Sequence, residues 1–124
     1  MLKKYLSYLI VTLTFGFLLF TDPAFASRFE EVHVYNLNVR EVAGESVYNG
    51  TWTRRPGTDI FDAVWNESIR DLIEIESVRG NRIVFYRYGN NGRYSGKFSE
   101  NGYLITGTAS WYAPGWYWEA WVTE

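Results

Sequence analysis

The sequence predicts an all-β protein: a small antiparallel meander of seven or eight strands, closed or half-closed as a barrel. Three observations carry this. Turn signals recur at short intervals, namely Arg55-Pro56-Gly57, Gly80-Asn81, Gly89-Asn90-Asn91-Gly92, Asn101-Gly102 and Ala113-Pro114-Gly115. Gly and Asn tolerate positive φ and Pro presets the first turn residue, so each cluster marks a chain reversal. The runs between them are rich in Ile, Val, Thr, Tyr and Trp and alternate with period two, the signature of strands. Finally, the 124-residue chain has no cysteine, while 19% of its residues are aromatic. A small domain without cross-links needs large apolar side chains to compensate for its limited burial.

Residues 1–26 read as a signal peptide. Lys3 and Lys4 supply a positive end, the stretch from Tyr5 to Phe20 is largely apolar, and Thr21-Asp22-Pro23 breaks any helix before Ala24-Phe25-Ala26. That order places cleavage after Ala26. The apolar run falls short of the ~20 residues that span a bilayer, so no stable membrane anchor is expected after cleavage. Without cysteine there is no site for a lipid. The expected location is therefore exported, periplasmic or secreted.

Residues 27–47 are polar and weakly patterned, and are expected to form a weakly ordered lead-in. The β-barrel domain is assigned to 48–124. Strands are expected at 48–54, 61–66, 71–78, 82–88, 93–99, 103–112 and 116–122, with 32–35 as a candidate eighth. In the fourth-quarter run, Tyr103, Ile105, Gly107, Ala109 and Trp111 share one face, which is expected to be buried. In the last run, Trp116, Trp118, Ala120 and Val122 oppose Tyr117, Glu119 and Trp121, and the latter are expected nearer to solvent. Segment 59–70 admits two readings. Ile60, Phe61, Val64, Trp65, Ile69, Leu72 and Ile73 also fit a helical stripe with Thr58 or Asp59 as N-cap. Alternation over 72–78 and a turn at Asn66-Glu67-Ser68 favour strands. Closing the meander removes exposed edges, and eight strands leave an interior that holds packed side chains or one small ligand.

Asn49-Gly50-Thr51-Trp52 supplies a Gly-x-Trp in the first well-patterned strand, followed by Tyr94-Ser95-Gly96-Lys97-Phe98 and Gly107-Thr108-Ala109-Ser110-Trp111. Over residues 50–122 the arrangement resembles the small up-and-down barrels of the lipocalin, avidin and bacterial protease-inhibitor type. The resemblance implies that the Gly-x-Trp opens the barrel and that its indole plugs one end. The chain is also similar to small exported bacterial proteins of unknown function, a likeness that implies no mechanism.

The charge balance narrows the partners. Twelve basic and 14 acidic residues give a formal net charge of −2, and loss of Lys3, Lys4 and Asp22 with the leader makes the remainder more acidic. Nucleic-acid binders are usually basic on at least one face, so no nucleic-acid partner is expected. His33, the single histidine, has no partners placed around it for a triad or a metal site. Glu74 and Glu76 share a strand face, but charges alternating with Ile73 and Ile75 describe a solvated face paired to Arg82 or Arg87. Gly89, Gly92 and Gly96 open no helix and read as turn glycines. Arg54-Arg55 lies too far into the domain to be an export signal. The sequons Asn49-Gly50-Thr51 and Asn66-Glu67-Ser68 are short enough to occur by chance. No cofactor and no metal are expected.

One block stands out. Trp111, Tyr112, Trp116, Tyr117, Trp118 and Trp121 cluster around a single Pro-Gly reversal. Alternation sends them to both faces, so they cannot all fill one core, and exposed aromatics suggest a binding surface. Tyr112, Trp116, Tyr117 and Trp121 are the expected ligand-binding residues. The function expected is that of a non-enzymatic exported binding domain for a small apolar molecule, a glycan or a protein partner. Two rival classes are a protease-inhibitor-like partner module and a small hydrolase using carboxylates.

Overall fold

The period-two alternation becomes eight strands in a computed structural model that describes residues 35–123. They are β1 (Asn36–Ala43), β2 (Ser46–Arg54), β3 (Ile60–Trp65), β4 (Ile69–Arg79), β5 (Arg82–Arg87), β6 (Gly92–Phe98), β7 (Leu104–Ala109) and β8 (Tyr117–Thr123). Each strand pairs antiparallel with the next, and β8 pairs with β1 to close the barrel. The all-β reading therefore holds. Segment 59–70 is strand and turn: Asn66 and Glu67 take φ of 50° and 66°, and the Ser68 N–H returns to the Trp65 carbonyl at 3.1 Å. The expected signal peptide and His33 lie outside the described residues.

Several boundaries differ from the sequence reading. β1 occupies part of the stretch expected to be a weakly ordered lead-in, so the barrel starts at Asn36 rather than at residue 48. The candidate strand at 32–35 is not that eighth strand: Tyr35 precedes it, and 32–34 lie outside the described residues. The reason lies in β1 itself, where the inward series Leu37, Val39, Glu41, Ala43 contains an acid and so breaks the apolar alternation. Tyr103, expected to be buried, is 50% exposed. It belongs to the 99–103 turn, where its N–H bonds the Asn101 side chain at 3.0 Å. Trp116, placed on the inward face of the last strand, instead ends the loop before β8 and is half-buried.

The interior is filled. Trp52, Trp118, Tyr94, Phe61 and Phe85 lead the fully buried side chains, each such burial contributing roughly 1.5–3 kcal/mol. Trp52 lies at the centre of this cluster, its ring centroid 5.1 Å from Tyr94, 5.2 Å from Phe85 and 6.2 Å from Trp118. An alanine methyl at Gly50 would meet Trp65 Cδ1 at 2.9 Å, so this glycine makes room for the indole of the neighbouring strand. The Gly-x-Trp indole thus packs the middle of the barrel and does not plug an end.

The two ends differ. At the end holding the 55–59 and 99–103 loops, the fully buried Arg54 side chain closes the barrel. Its guanidinium bonds the Thr58 carbonyl at 2.9 Å and Asp59 at 3.0 Å. The opposite end, here the mouth, carries the turns at 44–45, 66–68 and 88–91 and the longer 110–116 loop. Outward positions such as Thr51, Thr53, Asp62, Arg93, Ser95 and Lys97 are exposed and polar. A wall facing lipid would be apolar there.

Candidate functional site

The mouth is lined by inward residues near the strand ends and by the 110–116 loop. β1 contributes Glu41 and Ala43, β2 Tyr48, and β3 and β4 Trp65 and Ile69. β5 contributes Arg87, and the loop adds Trp111, Tyr112 and Trp116, enclosing a cup of about 290 Å³. It sits directly above the packed core, with Tyr94 forming part of the boundary between the two.

Glu41 is the centre of its polar network. The residue is only 7% exposed, and its two carboxylate oxygens each accept one phenol: Tyr112 donates to Oε1 at 2.5 Å and Tyr94 to Oε2 at 3.0 Å. Burial, followed by the Glu41 charge, pushes the Tyr94 hydroxyl far above the ordinary tyrosine value. Burial and the hydrogen bond to Glu41 do the same for Tyr112. Both phenols therefore keep their protons and act as donors.

Arg87 stands on the other side of Tyr94, its Nη1 donating to the phenol oxygen at 3.4 Å. Its Nε donates to Asp71 at 2.8 Å. The same carboxylate accepts the N–H groups of Leu72 at 2.7 Å and Gly89 at 2.9 Å, tying the 88–91 turn to β4. The guanidinium lies over Trp65, 4.4 Å from the ring centroid, and 5.6 Å from that of Trp111. Such cation–π contacts gain strength where water is excluded. Trp111 can fold over the mouth because β6 begins with glycine: a methyl at Gly92 would meet Trp111 Cε3 at 2.5 Å. Trp65 is 3% exposed, and its indole N–H has no hydrogen-bond partner among the described residues.

The four residues expected to bind ligand divide into two places. Tyr112 and Trp116 enter the cup, with ring centroids 6.1 Å apart. Tyr117 and Trp121 point outward from β8, 39% and 41% exposed. Trp121 faces a shallow cleft on the outer wall beside Asn38, Thr51, Asn66 and Glu67. The hairpin does not gather all four because alternation puts residues 117 and 121 on the side opposite 118 and 120.

Sequence reasoning missed Glu41, Tyr48, Trp65, Arg87 and Tyr94 as members of one site. They come from five different strands, and no local pattern joins them. The one available signal was a strand-forming run ending in an acid at position 41. The carboxylates considered for hydrolysis are elsewhere. Glu74 accepts the Tyr88 hydroxyl at 2.5 Å, and Glu76 pairs with Arg93 at 2.6 Å on the outer wall. The partners suggested for them, Arg82 and Arg87, are not the ones used: Arg87 lies opposite the inward-facing Ile73, and Arg82 lies opposite Arg79 at the far end of the pair.

The cup thus offers a carboxylate, a guanidinium and a concentration of aromatic rings, and among the described residues no Ser, Thr, Cys, Lys or His side chain lines it. No family model, curated protein or solved structure matches the chain.

Proposed function

We propose that this chain is an exported, non-enzymatic binding domain that holds a small molecule in the aromatic cup at the barrel mouth. The observation that carries the reading is the buried Glu41, set among Tyr48, Tyr112, Trp111 and Trp116 above a filled core. Small-molecule sites are typically concave, mostly apolar, and fitted with a few polar groups that fix orientation. A filled interior moves the ligand from the lumen, where a hollow barrel would hold it, to the mouth. Export rests on the order Lys3-Lys4, apolar run, Ala24-Phe25-Ala26, and N-terminal sequencing of the exported protein should begin at Ser27.

The test is a fragment screen read on the tryptophan indole N–H resonances, using neutral, cationic and anionic compounds. At least one fragment should perturb Trp65, Trp111 and Trp116 in a saturable manner while leaving the sealed Trp52 and Trp118 unchanged. Trp116→Ala should abolish that response without changing the melting temperature by more than a few degrees. A screen in which no fragment moves the three mouth tryptophans would sink the reading.

A further inference from the structure

We propose that the mouth cup recognises a small organic ammonium group. This rests on the reading of the cup as a small-molecule site and names the chemistry of its ligand.

The charges at the mouth are unevenly matched. Arg87 has its own carboxylate, Asp71, at 2.8 Å. Glu41, the more deeply buried acid, is met directly by two neutral phenols. A carboxylate taken out of water is costly unless a cation compensates it. Each of its oxygens has two lone pairs and uses one, so acceptor capacity remains. Counting Asp71 behind the wall, the three charged groups Glu41, Arg87 and Asp71 sum to one negative charge, which disfavours an anionic ligand.

The walls supply the other half of the recognition. Tyr48 is the direct cross-strand neighbour of Glu41, Tyr112 donates to it, and Trp116 packs beside Tyr112. Three rings thus line the cup together with that carboxylate. The faces of such rings attract cations, and aromatic cages with an acid are suited to alkylated ammonium groups. The site already shows this chemistry internally, since Arg87 lies over both Trp65 and Trp111. An inorganic divalent cation would require several oxygen ligands, whereas Glu41 is the only carboxylate lining the cup among the described residues. A volume of about 290 Å³ suits a compact head group.

The experiment uses residues 27–124 and the full chain alike, titrated with choline chloride and with its neutral carbon isostere 3,3-dimethylbutan-1-ol, at constant ionic strength. Choline should shift the Trp111 and Trp116 indole resonances saturably, with the isostere roughly ten-fold weaker or more. Glu41→Gln should remove that discrimination. Because Glu41→Gln disturbs the tyrosine network, Tyr48→Leu serves as a second variant: it leaves the Glu41 hydrogen bonds in place and should weaken choline several-fold at an unchanged melting temperature. Equal binding of the isostere overturns the ammonium assignment, as does choline binding undiminished in both variants. If choline fails while neutral fragments still perturb the mouth tryptophans, the ammonium assignment falls and the cup stands. If no compound of any charge perturbs them, both fall.

Discussion

Tyr112, in the loop between β7 and β8, donates its phenol proton to Glu41 on β1 across 71 residues of sequence, at 2.5 Å. Together with the Ser110 N–H bond to the Arg93 carbonyl at 2.9 Å, it seats the 110–116 loop on the barrel mouth. It brings Trp111 against Tyr94, with ring centroids 4.8 Å apart, and Trp116 beside Tyr112. The cup exists because an inward acid on the first strand captures a phenol from the last loop.

Replacing Glu41 by Leu should destabilise the protein by ~1–3 kcal/mol, because the Tyr94 and Tyr112 hydroxyls lose their acceptor in a dry site. Adding Tyr94→Phe and Tyr112→Phe to that variant should recover most of the loss, since a fully apolar replacement leaves no unmet polar group. Urea unfolding of the single and triple variants measures this. A triple variant as unstable as the sum of its parts would show that the network itself stabilises the fold.

Stability should fall on the alkaline side. The folded-state values of Tyr94 and Tyr112 are raised above the ordinary 10.0. Above that pH the unfolded chain releases protons that the native state retains, so the contribution is complete below pH 10 and declines as pH rises. For the deeply buried Tyr94 the slope approaches ~1.4 kcal/mol per pH unit. Tyrosinate absorbance followed together with near-ultraviolet circular dichroism should show these two phenols ionising only as the protein unfolds. Their ionisation in a still-native protein would contradict the buried network.

The aromatic block should divide by face. Trp118, fully buried with its indole bonded to the Thr108 carbonyl at 2.7 Å, should cost ~3–5 kcal/mol on truncation to Ala. Trp121→Ala, on the outer wall, should stay within ~0.5 kcal/mol of the parent. Parallel thermal melts decide it: equal loss in both would mean that the outer face is covered in solution.

Gly92→Ala should act on the cup. The added methyl would press on the Trp111 ring, and small-to-large changes in packed sites cost ~1–3 kcal/mol. The chemical shift of the Trp111 indole should move and fragment binding at the mouth should weaken. An unchanged Trp111 resonance would show that the ring relaxes without leaving its place.

The sequence by itself determined the strand character, most of the turns and the two faces of the last strand from Tyr117 onward. Those properties are local: alternation in Trp118, Ala120 and Val122 against Tyr117 and Trp121, and turn residues such as Asn66, depend on near neighbours. The tertiary structure alone decided where the barrel begins and what its mouth contains. Glu41 lies in a stretch that reads as polar and weakly patterned, because an acid normally marks an outward position. It faces inward since pairing β1 with both β2 and β8 closes the barrel and fixes its side. Arg87 looked like a partner for outer-wall acids, and the register of β4 against β5 sent it to Asp71 and the tryptophans instead. A site assembled from the ends of five strands and one loop has no sequence period. It appears only when closure brings those ends around one carboxylate.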